Sequence, residues 1–406
     1  MKWLGAILVS LSAATAAAQS VPSSIPIHVS ETGGIRRTQF PVAARIPFPR
    51  AVLRDPAAVR LLSNQNEVPS QASVEARWPD GSIQWLVVEL NVTIGPGESQ
   101  TYALQYGDGV KSEAVARGLT VTEDADAIQI GNLRFNKSGS PLVASVKYRE
   151  EAIAAGSNGL SVTDAAGAHD LSTAENVKVE VVKRGPLVAA LKYSGSIRLE
   201  KDARAPFVMT VEMPNSKSWV KLQAMVDDPG RNVRSLAIGL PLALGPFPWV
   251  WDFGTSRWTY GSMRAATDSV VMSDTVAANA SGEWTVSSGP KGKEVASETS
   301  RPDGATFAGW GHVQGAKEVV AYAVEGVKTK PGTYRVALDG TGQTTFQLTP
   351  PSPATKHELT VYAHFVSTPV QIGAATSPAS ILSPLIATCE RDQYVKSGVP
   401  LPAGVK

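Results

Sequence analysis

Residues 77–85 read Arg77-Trp78-Pro79-Asp80-Gly81-Ser82-Ile83-Gln84-Trp85, a turn signal between two tryptophans. Pro79 fixes its own φ, Asp80 can bond back to the backbone, and Gly81 accepts a positive φ, so these residues predict a tight turn. The stretch from Ile83 to Ile94 alternates with a period of two, which predicts a β-strand. One face of this strand carries five apolar side chains: Leu86, Val88, Leu90, Val92 and Ile94.

Short apolar runs between turn residues recur along nearly the whole chain. Gly95-Pro96-Gly97-Glu98 predicts a hairpin turn, after which Tyr102, Leu104 and Tyr106 alternate back. The 406 residues include 35 Gly and 28 Pro, and few stretches have a helical period. Runs at this spacing favour an antiparallel β-sandwich over a parallel α/β sheet.

Composition shifts divide the chain into a small β domain, a larger β-sandwich and a tail. We place the small domain at residues 27–110, the sandwich at 119–370 and the tail at 371–406. One helix is expected in the tail, starting at Ser377 or Ser383, each followed by Pro, and ending near Lys396.

The first residues have the pattern of a secretory signal peptide. Lys2 precedes an apolar stretch from Trp3 to Leu11, and Ala16-Ala17-Ala18 offers small residues for cleavage. We therefore expect a signal peptide at residues 1–18, a Ser/Pro linker at 19–26, and a secreted or periplasmic protein. Later apolar runs are too short to span a bilayer, so no membrane span is expected.

Charge and cysteine content exclude several classes of function. The chain has 38 Lys and Arg against 36 Asp and Glu, without a basic block, so neither nucleic acid nor an anionic membrane is an expected partner. Cys389 is the single cysteine, which excludes an intrachain disulfide and a Cys-based metal site. We expect Cys389 to be a buried, unreactive thiol.

The stretch from Phe247 to Tyr260 is the richest in aromatic residues. Aromatic rings can stack on the C–H faces of a sugar, while Asp and Arg can bond its hydroxyl or carboxylate groups. The predicted substrate-binding residues are Trp249, Trp251, Asp252, Arg257, Trp258, Tyr260 and Trp310. Two alternatives stay open: the rings pack between sheets, or they form an interface with another protein chain.

His312 follows Trp310 and Gly311 and belongs to a second candidate site. β-Elimination on a uronate needs a base to remove a proton and a positive group to hold the carboxylate. Arg257, Tyr260 and His312 are the residues chemically capable of these catalytic roles. The alternative is a solvated histidine at the end of a strand.

Metal binding and cofactors have little support in the sequence. The five histidines show no spacing typical of a zinc site, and no phosphate-binding glycine loop is present. Asp227-Asp228-Pro229-Gly230 and Asp124-Ala125-Asp126 offer oxygen ligands for Ca²⁺ without the regular spacing of a calcium loop. We interpret both segments as turns and predict no cofactor.

Two sets of motifs resemble the exo-rhamnogalacturonan lyase family, polysaccharide lyase family 26 and its bacterial relatives, over about residues 35 to 398. Similar to that family's N-terminal RIFT-type barrel are Pro47-Phe48-Pro49-Arg50, Val68-Pro69-Ser70-Gln71 and Ala76-Arg77-Trp78-Pro79-Asp80-Gly81-Ser82-Ile83-Gln84-Trp85-Leu86. Similar to its central β-sandwich are Val181 to Ala190 with Arg184-Gly185-Pro186, then Gly309-Trp310 and Lys356-His357-Glu358-Leu359.

The resemblance implies an all-β fold: a small RIFT-like N-terminal β-barrel, then a larger antiparallel β-sandwich with a short C-terminal helix. Full-length lyases of that family continue into a large α-helical toroid that forms much of their substrate cleft. This chain is expected to lack the toroid, which would begin near Leu401, so no catalytic residue is carried over. The leading expectation is a non-catalytic protein that binds an acidic, pectic or uronate-containing polysaccharide. The alternatives are a minimal polysaccharide lyase and an assembly subunit of a separate toroid protein, which the 247–260 aromatic cluster would contact.

Overall fold

The computed structural model describes residues 23–138, 143–148, 151–154, 159–255, 259–277, 282–290, 292–300, 307–316, 318–327, 329–367 and 378–402. The N-terminal strands are β1 Ser23–Ser30, β2 Arg37–Pro47, β3 Val59–Ser63, β4 Asn66–Val68, β5 Ser70–Arg77, β6 Ile83–Ile94 and β7 Ser99–Tyr106. After the last sandwich strand come helix α1 Pro378–Leu382, strand β30 Ile386–Cys389 and helix α2 Arg391–Lys396. Among the described residues, no helix has the length and apolar character needed to cross a membrane.

The sandwich contains all the strands between β7 and α1, with short 3-10 turns at Leu171–Thr173 and Glu200–Asp202. They are β8 Val121–Glu123, β9 Ala127–Ile130, β10 Leu133–Asn136, β11 Val143–Tyr148, β12 Glu151–Ala154, β13 Gly159–Thr163, β14 Ala168–Asp170, β15 Ala174–Arg184, β16 Val188–Arg198, β17 Arg204–Pro214, β18 Trp219–Asp227, β19 Ser235–Pro241, β20 Trp249–Phe253, β21 Thr259–Met263, β22 Ser269–Val276, β23 Gly282–Gly289, β24 Lys293–Ser300, β25 Trp310–Gln314, β26 Glu318–Val324, β27 Gly332–Asp339, β28 Gln343–Thr349 and β29 Lys356–Ser367.

The N-terminal domain is a barrel of two sheets, with strand orders β2-β6-β5 and β30-β1-β7-β3-β4. Strand β6 has the predicted bounds, and the side chains of its predicted apolar face are buried. The predicted turn is confirmed too: Gly81 has φ +81°, and Asp80 accepts hydrogen bonds from the Ser82 backbone N–H and hydroxyl. Alternation and turn chemistry therefore determine this part of the fold.

The expected hairpin after β6 is wrong. Gly95 and Glu98 do form a tight turn, in which the Glu98 backbone N–H donates to the Gly95 carbonyl. The strand that follows, β7, pairs with β1 and β3 rather than with β6. The turn therefore carries the chain from one sheet of the barrel to the other, a difference that alternation within each strand cannot reveal.

Two large antiparallel sheets form the sandwich, and their facing side chains make one core. The long sheet has the order β15-β16-β17-β18-β29-β26-β25-β20-β21, and the facing sheet has the order β14-β13-β19-β28-β27-β22-β23-β24. A smaller sheet, β12-β11-β10-β9-β8, adjoins them. Together these sheets are the predicted all-β sandwich.

The C-terminal segment returns to the barrel, which corrects two expectations. A single helix was expected in the tail, but strand β30 separates α1 from α2 and pairs with β1. Part of the expected linker is also regular structure, because β1 begins at Ser23. Ile381, Leu385 and Tyr394 are buried in the barrel core, so burial of apolar surface holds the tail there. Cys389 is buried beside them as predicted, and burial raises the pKa of its thiol to about 12.

A buried arginine fastens α1 to the barrel. The Arg37 guanidinium lies 3.1 Å from the Glu31 carboxylate, and both side chains are almost inaccessible to solvent. Arg37 also donates to the backbone carbonyls of Ser380 and Ser383. Because a buried charge must be paired and hydrogen-bonded, this arrangement fixes the chain around α1 in one position.

Candidate functional site

One end of the long sheet carries a row of polar and aromatic side chains on the face away from the core. In the register of β21, β20 and β25, Tyr260 lies opposite Asp252, and Asp252 lies opposite His312. The row continues through Ala321 to His364 in the middle of the sheet. Neighbours in such a row have Cβ atoms about 4.5–5.5 Å apart, so the side chains of Tyr260, Asp252 and His312 lie side by side at the sheet edge.

The aromatic cluster is divided between the two faces of β20. Trp249 and Trp251 are 5% and 2% exposed and lie in the sandwich core with Phe253. Side chains alternate along a strand, so Val250 and Asp252 point to the opposite face. The two buried tryptophans therefore offer no ring face to a sugar or to a partner protein. The prediction that Trp249 and Trp251 bind substrate is wrong, and their rings pack between the sheets.

The carboxylate of Asp252 holds His312 in a fixed orientation. Its Oδ1 accepts one hydrogen bond from the His312 backbone N–H at 2.7 Å and another from the ring Nδ1 at 2.8 Å. Because an ionised carboxylate only accepts, Nδ1 is the donor to Asp252 and Nε2 is the ring nitrogen that this bond leaves unused. The His312 side chain is 33% exposed, so an oriented imidazole stands at the surface.

Aromatic rings lie close to this Asp–His pair. Trp310 is half-buried and meets the His312 ring edge-on, with centroids 5.7 Å apart. Its indole lies against Gly254, where a Cβ would stand 2.2 Å from the Trp310 Cε2. Tyr260 is 65% exposed. We call Tyr260, Asp252, His312 and Trp310 the edge surface. These four predicted residues lie together at the edge of the sheet, where solvent reaches them.

Part of the same face is covered. Trp219 and Ala323 are buried with barrel residues, and α1 packs against β25 and β26. The edge surface lies outside this covered part, on the β21 side, where Tyr260 and His312 are accessible to solvent. Arg257 and Trp258, two of the predicted site residues, lie outside the described residues.

In each of the two segments considered for Ca²⁺, one carboxylate is occupied by hydrogen bonds. Asp228 is fully buried and accepts from the Val233 N–H at 2.6 Å. Asp124 accepts from the N–H groups of Asp126 and Ala127 and from Arg134. Across the part of the chain that the structure describes, no group of three or more His, Cys, Asp or Glu side chains is placed to hold a metal ion.

Sequence reasoning did not find the pairing of Asp252 with His312, because 60 positions separate them and only the order β21-β20-β25 makes them neighbours. It also treated the aromatic cluster as one unit. The alternation of Trp249, Trp251 and Phe253 at every second position was the available signal, since it is typical of the buried face of a strand.

The fold and this surface define an all-β protein with a RIFT barrel followed by a β-sandwich. Residues 32–106 match the family model described as the PcRGLX-like N-terminal RIFT barrel domain, so this part of the chain is a barrel domain of that type. The resemblance drawn from the early motifs is confirmed there. No curated protein sequence matches the chain.

Solved structures share the architecture well beyond the barrel. An α-mannosidase from Enterococcus faecalis V583 has 12% identity and a TM-score of 0.58, covering 90% of this chain and 46% of that one. A protein in glycosyl hydrolase family 38 from Enterococcus faecalis has 10% identity and a TM-score of 0.57, covering 90% of this chain and 47% of that one. This chain spans about half the length of either protein, and at such identities the likeness shows the fold alone.

Proposed function

We propose that this chain is a secreted or periplasmic protein that binds an acidic, pectic or uronate-containing polysaccharide through the edge surface, without catalysis of its own. The observation that carries the proposal is the Asp252–His312 pair, a fixed hydrogen-bonding group beside two aromatic rings at an open sheet edge. The carbohydrate context of the RIFT barrel family and of the two solved structures supports a saccharide ligand.

The edge surface has the chemistry that a sugar requires. The exposed phenol ring of Tyr260 offers an apolar face for sugar C–H groups, and the half-exposed Trp310 adds apolar surface. The Nε2 atom of His312 accepts from a hydroxyl group, and its position does not change on binding because Asp252 already holds it. The aromatic rings thus give a saccharide apolar contact area, and the fixed imidazole beside them gives it a hydrogen bond of defined direction.

Affinity electrophoresis tests this proposal against pectic and related polysaccharides. Retarded migration on at least one acidic polysaccharide is expected, and unretarded migration on all of them would contradict it. Ile386→Ala serves as a control, because Ile386 is an exposed apolar residue in the barrel and its loss should leave retardation unchanged.

A minimal lyase is the second candidate, and the orientation of His312 is the observation that favours it. A carboxylate that fixes an imidazole by its Nδ1–H leaves Nε2 positioned to remove a proton. Tyr260, opposite Asp252, would be the second proton-transfer group, and Arg257 the candidate for holding the uronate carboxylate. Ultraviolet absorbance from the unsaturated product would reveal activity; a flat trace on rhamnogalacturonan and uronan substrates would remove this candidate.

A further inference from the structure

A second site is built at the ends of β13, β18 and β28, away from the edge surface. Loops from both large sheets enclose a cleft of about 680 Å³. This volume falls in the range of roughly 300–1,000 Å³ typical of ligand sites. We call it the loop cleft; its lining includes Asp164, Lys201, Arg231, Arg234 and the segment Pro350-Pro351-Ser352-Pro353.

The backbone around the loop cleft is held in uncommon conformations. Lys201 has φ +55° and Arg231 has φ +54°, in the left-handed region that long side chains rarely adopt. The Arg231 backbone N–H donates to the Asp228 carbonyl at 3.0 Å, while the Arg234 N–H donates to the Thr163 carbonyl at 2.7 Å. Strained residues are concentrated at functional sites, and the backbone of Lys201 and Arg231 is strained in this way, while the Arg234 backbone is fixed by its hydrogen bond to Thr163.

The two arginines of the loop cleft are not paired with its acids, whereas the Lys201 ammonium lies 3.9 Å from the Glu200 carboxylate. Asp164 is buried, and its carboxylate already accepts from the N–H groups of Ala166, Gly167 and Glu200 and lies 3.0 Å from the His169 Nε2. Within the described part of the chain, neither Arg231 nor Arg234 forms a side-chain hydrogen bond or ion pair. The cleft therefore contains two guanidinium groups whose donors are available to a ligand.

Another part of the cleft lining is apolar. Pro350, Pro351 and Pro353 supply apolar rings and lie in the loop between β28 and β29. Because proline fixes its own φ, this loop has little conformational entropy to lose when a ligand binds. A guanidinium recognises carboxylate and sulfate oxygens by two-point hydrogen bonds. A cleft lined by two guanidinium groups and by an apolar segment fits a ligand with both an oxyanion and C–H surface.

We propose that the loop cleft binds the oxyanion, a carboxylate or a sulfate ester, of an acidic oligosaccharide, with Arg231 and Arg234 as its ligands. This site is distinct from the edge surface, and its occupation does not require Tyr260 or His312. A long acidic polysaccharide would thus have two places of attachment on one molecule, which raises avidity without a new contact at either.

Isothermal titration calorimetry with three probes tests the proposal: trigalacturonate, its fully methyl-esterified form, and a sulfated carrageenan oligosaccharide. At least one charged probe should bind, and the neutral ester should bind at least tenfold more weakly than trigalacturonate if the carboxylate is the recognised group. The charged probe that binds assigns the oxyanion as carboxylate or sulfate ester. Binding of neither charged probe would overturn the proposal.

Arg231→Asn and Arg234→Gln provide the site-specific test. Asparagine tolerates a positive φ, so the first change removes the charge while keeping the turn. Each change should weaken binding of the charged probe about tenfold, the size expected for one charge-assisted pair. Arg391→Gln removes an exposed arginine from α2 and should have no effect.

Unchanged affinity in both cleft variants, with thermal midpoints like that of the unaltered protein, would also overturn the proposal. Tyr260→Ala separates the two sites. If Tyr260→Ala abolishes oligosaccharide binding while the arginine variants retain it, the oxyanion is held at the edge surface and the loop cleft is not a binding site. If the arginine variants lose binding and Tyr260→Ala retains it, the loop cleft stands even where the edge surface fails.

Discussion

The side-chain amide of Gln71 forms two hydrogen bonds with the backbone of Val188, joining the barrel to the sandwich. Its Nε2 donates to the Val188 carbonyl at 2.9 Å, and its Oε1 accepts from the Val188 N–H at 2.9 Å. The fit is close, since a Cβ at Gly185 would lie 2.1 Å from the Gln71 Cδ. Gln71 and Gly185 belong to two of the motifs that carry the family resemblance, and the structure shows these motifs in contact.

Gln71→Ala should lower the free energy of unfolding by about 1–3 kcal/mol, because it leaves partly buried backbone groups at positions 187 and 188 without their partner. Urea denaturation measures the change. Gln129→Ala, which removes a single solvent-exposed hydrogen bond to the Gly131 carbonyl, is the control and should cost under about 0.5 kcal/mol. Equal midpoints for the two variants would show that this contact does not stabilise the joint.

Arg37→Ala should be among the most destabilising single changes in the barrel, by about 3–5 kcal/mol, since it leaves the buried Glu31 carboxylate without its cation. It also removes the donors to the Ser380 and Ser383 carbonyls. Limited proteolysis should then cut near α1 before the rest of the chain. Cleavage at the same rate as in the unaltered protein would argue against a fastening role for Arg37.

Acid should destabilise the protein through two carboxylates in particular. Backbone N–H donation from Gly97, helped by Arg37 against the opposing effect of burial, lowers the pKa of Glu31 to about 2. Burial alone would raise the pKa of Asp164, but hydrogen bonds from the Glu200 N–H and from His169 outweigh it and hold the pKa at about 2.

An acid whose pKa is lower in the folded than in the unfolded state stabilises the fold above its unfolded pKa, and this contribution is lost as the pH falls through the folded value. The free energy of unfolding should therefore decrease between about pH 4 and about pH 2. Asp164→Asn should show a shallower decrease over this window, with Asp108→Asn on the exposed surface as the control. Parallel curves for all three proteins would contradict the role of Asp164.

The two kinds of aromatic residue near the edge surface should respond differently to truncation. Trp251→Ala should destabilise the fold by about 3–5 kcal/mol, because the ring is buried in the sandwich core. Tyr260→Ala should change stability by under about 0.5 kcal/mol, since the ring is mostly exposed. Thermal unfolding compares them, and a large loss from Tyr260→Ala would mark that ring as structural.

Trp85 should lie between these extremes. Its half-buried ring lies under the Arg45 guanidinium, at 4.8 Å, and 6.5 Å from the Tyr394 ring of α2. Trp85→Ala should therefore cost less than the ~3–5 kcal/mol of a fully buried ring. The loss should appear as weaker attachment of α2, read by hydrogen exchange of its amides; unchanged exchange there would show that Trp85 does not contact the helix in solution.

The sequence predicts those parts of the fold that depend on patterns within about a dozen neighbouring residues. The bounds of β6 and its buried face follow from the alternation of apolar residues, and the turn at Gly81 follows from the positive φ that glycine accepts. The partner of β7 and the return of β30 to β1 depend on contacts between distant residues, which a local period does not encode. For the same reason Asp252 and His312 were both predicted, while their contact was not.

A saccharide bound at the edge surface should lose affinity when Tyr260 or His312 is changed, and one calorimetric titration measures this. The polysaccharide that most retards the unaltered protein in affinity electrophoresis would supply the oligosaccharide, which is titrated into the unaltered protein, Tyr260→Ala and His312→Gln. Both variants should fold, and each should bind about tenfold more weakly, as for the loss of one hydrogen bond or one stacked ring. Unreduced affinity in both variants would contradict binding at the edge surface.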